Sequence, residues 1–309
     1  FGDISPDFPP EWLLYLPWST LATDLFTPPS HKKVVSQDRW NQLWSQANLQ
    51  GLDTRTNKEL HNQKCTLTYP ESGWFRIECG VFTLFYRMDK DTAPDYVGHH
   101  HQDLYHFCLY KNGTPIFVDS GRKNYQQAIG TWGQFGLSPQ AHNSVTIDGI
   151  GSLPEKPYRY PIKYSNSKNS SIIESYDDCV TITVESTCFK RLIKPATLIR
   201  KIILNTNSIR IEDQFRGAGE HDITTYFHFS SNADLQYTDS NDWQVQSGEI
   251  SGKFKIEFTE KPNITHHRGD DSPLGGVVSA YGKVKNSSTL SIDCKVQLPA
   301  TLKYGLVFG

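Results

Sequence analysis

Short runs of β-branched and aromatic residues dominate the chain from about residue 66 onward. Turn-forming pairs such as Asn112-Gly113 and Asp148-Gly149 lie between runs. The polar stretch 266–271 is interpreted as a solvated loop. Roughly fifteen short strands without long helical periodicity predict a mainly β fold, a large antiparallel β-sandwich resembling a supersandwich. The predicted strands are 73–78, 81–86, 179–184, 198–204, 208–212, 223–229, 243–245, 254–258, 277–281 and 290–296.

The first fifty residues follow a different pattern. An apolar run at 11–16 after Pro10 predicts a helix start, which Pro17 interrupts. Ser36 can cap a second helix, whose apolar face consists of Trp40, Leu43, Trp44 and Ala47. We therefore expect a helical segment and linker over 1–65 and the sandwich over 66–309, with room for a smaller C-terminal sheet from about residue 235.

Composition narrows the functional classes. The chain has 309 residues, 37% of them hydrophobic, and a formal net charge of −2, which argues against a nucleic-acid binder. No apolar run reaches the roughly 20 residues that a membrane helix needs. Six cysteines without a CxxC pair argue against a zinc-thiolate cage. The chain starts at Phe1 and its single methionine is Met88, so we expect the protein to include a segment upstream of it.

A histidine cluster is the main candidate for chemistry. In an extended strand, side chains two residues apart share a face, which would place His99, His101 and Asp103 together. Two imidazoles and a carboxylate on one face suit a metal site or an acid/base site. The competing interpretation is an exposed histidine-rich strand or loop.

Two further polar positions complete a potential site. Asp119 follows the apolar run 116–118, and His142-Asn143 precedes the run 145–147. Taken singly, Asp119 would be an ordinary turn residue and His142 a structural histidine. Together with His99 and His101 they provide a set suited to zinc with an open coordination position.

The turn at Asn112-Gly113 leaves two registers open. A two-residue turn would pair residue 111 with 114 and put Asp119 beside His106. A three-residue turn with a bulge at Gly113 would pair 110 with 114 and put Asp119 on the face of His101. We expect only the second register to serve a shared site. Even then, regular pairing leaves Asp119 about 13 Å from His101 at ~3.3 Å per residue, so either the chain bends over 101–105 or Asp103 is the ligand.

Three ordered motifs carry a family resemblance. They are Gly98-His99-x-His101-x-Asp103-x-x-x-Phe107, then Gly113-x-Pro115-x-x-x-Asp119-x-Gly121, then His142-Asn143-x-Val145-x-x-Asp148-Gly149. They resemble the β-sheet domain of the heparinase II/III family of polysaccharide lyases. Arg200 and the segment 211–215 resemble its downstream sandwich, and the first residues resemble the exit from its α/α toroid. The sequence departs from the family pattern at Tyr105, at His106 and after Gly121.

The resemblance implies β-elimination on polysaccharides that contain uronic acid. It implies that His99 faces the cleft and takes part in catalysis, and that His101, Asp119 and His142 hold one structural zinc ion. Asn143, and Asp103 if it is not itself a ligand, would orient neighbouring groups or contact substrate.

The resemblance also bears on what lies outside this chain. The family's tyrosine acid/base and its carboxylate-neutralising residue sit largely on the α/α toroid, which we expect upstream of Phe1. An acidic polysaccharide and that toroid are therefore the expected partners, with a homodimer as a further expectation and a periplasmic or secreted location. Heparan sulfate, alginate and hyaluronan-like chains all fit as polymers.

Two other functions compete with the lyase. A non-catalytic carbohydrate-binding or structural β-module would also explain the strands. A cupin-type metal oxidoreductase would explain His-x-His on a strand with a later histidine, but it needs a compact barrel of about half this length.

Overall fold

The computed structural model describes residues 64–69, 74–88, 101–126, 128–153, 168–239, 242–258, 261–269, 273–280 and 282–309. These residues belong to one compact unit. The helices predicted before residue 65 lie outside them. Strands dominate the described part, which confirms the mainly β prediction. No helix in these ranges has the length and apolarity needed to cross a membrane.

The first sheet is a five-stranded antiparallel meander in chain order. In its third strand, alternate residues are buried, as the two-residue period of a strand with one core-facing side requires. Its strands are β1 (Lys64–Tyr69), β2 (Trp74–Cys79), β3 (Phe82–Arg87), β4 (Phe107–Lys111) and β5 (Thr114–Phe117).

The second sheet is larger and has ten strands. Its main path runs β11-β12-β13-β17-β10-β9-β8-β7, while β6 pairs with β10 and β14 pairs with β17. The strands are β6 (Val145–Ile147), β7 (Asn169–Ser175), β8 (Cys179–Ser186), β9 (Ala196–Asn205), β10 (Ser208–His228), β11 (Ala233–Asp239), β12 (Asp242–Ser247), β13 (Ile250–Glu257), β14 (Asn263–Arg268) and β17 (Ser288–Phe308).

Two long strands form the spine of this sheet. The predicted strands 208–212 and 223–229 are parts of one strand, β10, which has 21 residues and pairs with β17 over most of its length. A register shift between Phe215 and Gly219 interrupts the pairing. Gly217 and Gly219 have φ angles of 148° and 95°, which favour glycine. Before the bulge β10 also pairs with β9, and after it with β6.

The region after residue 235 does not form the separate sheet that the sequence allowed for. Strands β11, β12 and β13 join the large sheet through β17. Only β15 (Gly276–Ala280) and β16 (Lys283–Asn286) form a two-stranded ribbon of their own. The stretch 266–271, expected to be a solvated loop, instead begins within β14. These strands form extended sheets, whereas the cupin alternative requires a compact barrel.

The two sheets share one aromatic core and meet at the end of β5. The rings of Phe117 and Phe229 lie 4.9 Å apart, and their backbones form a β-bridge. The backbone N–H of Val118 then donates to the carbonyl oxygen of His228 at 3.0 Å. The residues that follow β5 are therefore fixed against the end of β10.

A buried ion pair ties the loops above the large sheet to its strands. Arg200 on β9 and Asp213 on β10 are both fully buried and form two hydrogen bonds of 2.7 Å. The Nη1 atom of Arg200 also donates to the carbonyl oxygens of Tyr105 (3.0 Å) and Asn143 (2.8 Å). One guanidinium thus joins two strands and two loop segments.

Replacing Arg200 with methionine is expected to lower the free energy of unfolding by about 3–5 kcal/mol, because the Asp213 carboxylate then stays buried without its partner. Urea unfolding followed by tryptophan fluorescence measures the change. Arg210→Met is the matched control, since Arg210 on β10 pairs with Glu212 at 3.0 Å near the surface and should change stability by less than about 1 kcal/mol. Equal losses in the two variants would contradict the assignment.

Candidate metal centre

The segment that carries the histidine cluster is a turn, not a strand. Tyr105 has a φ angle of 72°, and the backbone N–H of His106 donates to the carbonyl oxygen of Asp103 at 2.9 Å. Strand β4 begins only at Phe107. The expected alternation of faces is therefore wrong from His101 onward, and residues 103–109 are all buried. The hydroxyl of Tyr105 donates to the carbonyl oxygen of Leu198 at 2.9 Å, which anchors the turn on β9.

The hairpin after β4 adopts the two-residue turn. Lys111 pairs with Thr114, and Asn112 and Gly113 have φ angles of 49° and 76°, as in a type I′ turn. A register shift follows between Leu109 and Tyr110. The expectation that only the other register serves a shared site is therefore wrong. Asp119 lies beside His106, as the two-residue turn predicts, and the bend at Tyr105 brings the rest of the cluster within reach.

Asp119 is the centre of the cluster. Its Oδ2 atom lies 2.9 Å from Nδ1 of His142 and 3.2 Å from Nε2 of His106. Its Oδ1 atom accepts a hydrogen bond of 2.7 Å from the backbone N–H of Gly121. Asp119, His142 and His106 each offer one potential ligand atom, and these three atoms lie within 4.8 Å of one another. Within the described ranges, this is the group of three metal-ligating side chains.

His101 lies against the same cluster. The ring centroids of His101 and His142 are 5.5 Å apart, and two imidazoles on one zinc ion would have centroids roughly 5–6 Å apart, given Zn–N bonds of about 2.1 Å. His142 is fully buried, and its Nε2 atom has no hydrogen-bond partner among the described residues. The structure thus groups two of the three predicted metal residues, Asp119 and His142, with His106, and places the ring of His101 beside that of His142.

Asp103 occupies a different position from Asp119. It is buried, and its Oδ2 atom lies 3.9 Å from Nη1 of Arg87 on β3. The carboxylate that contacts the histidines is that of Asp119. Asp103 also closes the turn through its backbone carbonyl group, so its contacts fit an orienting role better than a ligand role.

Asn143 connects the loops of the site through its side chain. Its Nδ2 atom donates to the carbonyl oxygens of Phe107 (2.8 Å) and Val118 (3.0 Å), and its Oδ1 atom accepts from the backbone N–H of His228 (2.7 Å). Its backbone N–H donates to Nδ1 of His106 at 2.8 Å. Because Asn143 is fully buried with its side chain saturated by these bonds, it can orient the site but does not reach a substrate.

His99, the candidate catalytic residue, lies outside the described residues. Its role stays a prediction.

Burial and charge set the protonation of the site. Burial acts to raise the pKa of Asp119, but Coulombic interactions and a hydrogen bond with His142 outweigh it and hold the pKa well below its usual range. Burial holds the pKa of His106 well below that of a free histidine. Asp119 is therefore an anion and His106 a neutral ring at pH 7, a combination that suits a cation.

The chain between Asp119 and His142 leaves the cluster and returns to it. Ser120 closes the base of this excursion, because both its backbone N–H (3.2 Å) and its hydroxyl (2.8 Å) donate to the carbonyl oxygen of Ala141. The excursion contains helix α1 (Trp132–Phe135) and stacks Lys123 on Trp132, with Nζ 5.3 Å from the ring centroid.

Sequence reasoning did not find two residues of the site. His106 is a departure from the family pattern, and the sequence places it beside Asp119 only in the two-residue-turn register, which is not the one expected to serve the site. Arg200 enters the sequence analysis only through the family resemblance, but it is buried and donates to the carbonyl oxygens of both histidine-bearing segments.

A β-sandwich with a buried carboxylate–histidine cluster at the junction of its sheets defines the class of fold and site. The sequence model described as "Heparinase II/III-like, C-terminal" matches residues 62–300, so the chain belongs to the heparinase II/III-like family, a family of polysaccharide lyases. No curated protein gives a match.

Solved structures show the same fold. A heparinase III structure superposes with a TM-score of 0.63 at 14% identity, covering 88% of this chain and 40% of its own. The heparan sulfate lyase HepC from Pedobacter heparinus gives a TM-score of 0.65 at 10% identity, covering 98% of this chain and 48% of its own. Another heparinase III structure gives 0.59 at 15% identity, covering 80% and 36%. The chain thus spans less than half the length of these proteins.

Stability is expected to fall as the pH drops from about 6.5 to 4, in part because of His228. Burial lowers the pKa of this fully buried histidine to about 4 from an ordinary 6.5. As the pH falls, the unfolded chain therefore takes up a proton on this histidine before the folded chain does. The free energy of unfolding thus decreases by roughly 3 kcal/mol between pH 6.5 and pH 4. Urea unfolding at several pH values measures the slope.

His228→Gln should flatten that slope, because glutamine can still donate to the carbonyl oxygen of Gln140 and accept from Thr289 as His228 does. His267→Gln is the matched control: His267 is partly exposed on β14 and should account for less of the slope. An unchanged slope in His228→Gln would show that His228 is not responsible.

Proposed function

We propose that this chain is the β-sheet domain of a polysaccharide lyase that cleaves uronic-acid-containing glycans by β-elimination. A base removes the C5 proton of the uronate while its carboxylate is neutralised. The electron pair left at C5 forms the C4–C5 double bond, and the 4-O-glycosidic oxygen leaves with a proton from a general acid. The product is an unsaturated sugar. The charge that develops on the carboxylate side must be stabilised in place, which requires a preorganised site.

The observation that supports the proposal is the grouping of Asp119 and His142 in a heparinase-like fold, with the ring of His101 5.5 Å from that of His142. Their nitrogen and oxygen donors suit zinc. We assign these three residues as holders of one structural zinc ion. When bound, the ion supplies cross-linking between the segments and positive charge beside the cleft.

The remaining catalytic groups are divided between two parts of the protein. We assign His99 to the cleft, next to the segment that His101 anchors. The tyrosine acid/base and the carboxylate-neutralising residue belong, in this proposal, to an α/α toroid upstream. The short span of this chain relative to the heparinase structures supports that division.

The proposal includes an acidic polysaccharide as substrate and a periplasmic or extracellular location, in keeping with the family. The polymer itself is one of the uronate glycans. A second copy of the chain as a partner stays a prediction.

His101→Ala is expected to lower zinc affinity by about 100-fold or more, since loss of an outer-shell group alone costs 10–100-fold. Zinc content after dialysis, measured by atomic emission, and the thermal unfolding midpoint with and without zinc both report it. His267→Ala on β14 is the control and should keep one zinc ion per chain. Equal zinc content in the two variants would contradict the ligand assignment.

His99→Ala is expected to keep zinc but to lower lyase activity by about 100-fold or more, the usual contribution of a positioned acid or base. The measurement is the absorbance at about 232 nm of the unsaturated product, on heparan sulfate, hyaluronan and alginate, with the full-length gene product. If His99→Ala instead empties the metal site, the division of roles is wrong.

If the full-length protein binds these glycans without producing unsaturated sugars, the non-catalytic carbohydrate-binding module becomes the better assignment.

A further inference from the structure

We propose that His106 is a positioning residue for the metal centre and not one of its ligands. It holds the Asp119 carboxylate through its Nε2–H group. This inference rests on the zinc site of the proposed function. It separates His106 from Asp119 and His142, although all three belong to the same group of metal-ligating side chains.

The tautomer of His106 follows from its neighbour. The backbone N–H of Asn143 points to Nδ1 of His106 at 2.8 Å, and a backbone amide nitrogen can only donate. Nδ1 must therefore carry a lone pair. In a neutral imidazole the single proton then sits on Nε2, the atom that faces Asp119.

That proton makes Nε2 a donor. Nε2 lies 3.2 Å from Oδ2 of Asp119 and 3.5 Å from Sγ of Cys108. To bind a metal, Nε2 would need a lone pair while Nδ1 keeps its own, which leaves a ring with no proton at all. The alternative is to break the bond from Asn143, which would strand a buried backbone donor. Both routes are unfavourable, so Nε2 keeps its proton and presents it to the Asp119 carboxylate at 3.2 Å.

The role of this contact is to fix the carboxylate. The backbone N–H of Gly121 holds the Oδ1 atom of Asp119, while His142 (2.9 Å) and His106 (3.2 Å) hold the Oδ2 atom. Together they set the rotation of the carboxylate before a metal binds. His106 is itself held, because it is 2% exposed and lies directly before β4. Outer-shell partners of this kind typically change metal affinity by 10–100-fold.

The test compares three variants by zinc titration and by the visible absorption of the cobalt(II)-substituted protein, whose bands report the ligand set. His106→Gln can accept from Asn143 and donate to Asp119, so it should bind one zinc ion with a Kd within about threefold of wild type and an unchanged cobalt spectrum. His106→Ala should still bind one ion, but 10–100-fold more weakly. His101→Ala should change the cobalt spectrum and lose the ion.

A cobalt spectrum altered by His106→Gln, or zinc lost from it as from His101→Ala, would overturn the inference. Long-range ¹H–¹⁵N NMR of histidine-labelled wild-type protein gives a second answer without any substitution. The Nε2 proton of His106 should persist when zinc is added, and its disappearance would identify His106 as a ligand.

The outcomes separate the two proposals. Absence of zinc from the wild-type chain would refute the metal site and, with it, this role of His106. Zinc binding without lyase activity in the full-length protein would refute the proposed function and leave His106 as the positioning residue of a metal site.

Discussion

The Arg200–Asp213 pair is the interaction on which the arrangement of the site depends. A fully buried guanidinium is stable only when its charge is neutralised and its donors are used. Asp213 neutralises Arg200 and accepts two hydrogen bonds of 2.7 Å from it. The carbonyl oxygens of Tyr105 and Asn143 accept hydrogen bonds from its Nη1 atom. Because Tyr105 and Asn143 each lie beside a histidine of the cluster, the large sheet fixes where both histidine-bearing segments begin.

The site is built at the junction of two sheets because their strand ends leave polar backbone groups there. Asn143 occupies that junction, and its side chain bonds to the backbone after β5, at the start of β4 and at the end of β10. A buried amide with three such bonds defines a single arrangement of the loops. The charged centre, Asp119 with His142 and His106, is thereby assembled by neutral hydrogen bonds that do not themselves need a metal.

Local patterns predicted part of this molecule well. The β-rich fold followed from the two-residue periods, whereas the Asn112-Gly113 turn left two registers open, of which the structure adopts the two-residue turn. The bend at Tyr105 could not be read from the sequence, since a positive φ in a tyrosine is imposed by tertiary contacts such as its bond to Leu198. The same holds for β14, whose polar residues look like a loop until β17 provides a pairing partner.

Two hydrogen bonds from Ser120 to the carbonyl oxygen of Ala141 close the base of the segment between these residues. They separate that segment from the cluster of Asp119 and His142. Because the two ends are joined at their base, a longer or shorter insertion there costs little closure entropy and transmits little strain. The stem residues Asp119 and His142 keep their places whatever the insertion contains. An insertion of different sequence can therefore present another surface at this edge without moving Asp119 or His142.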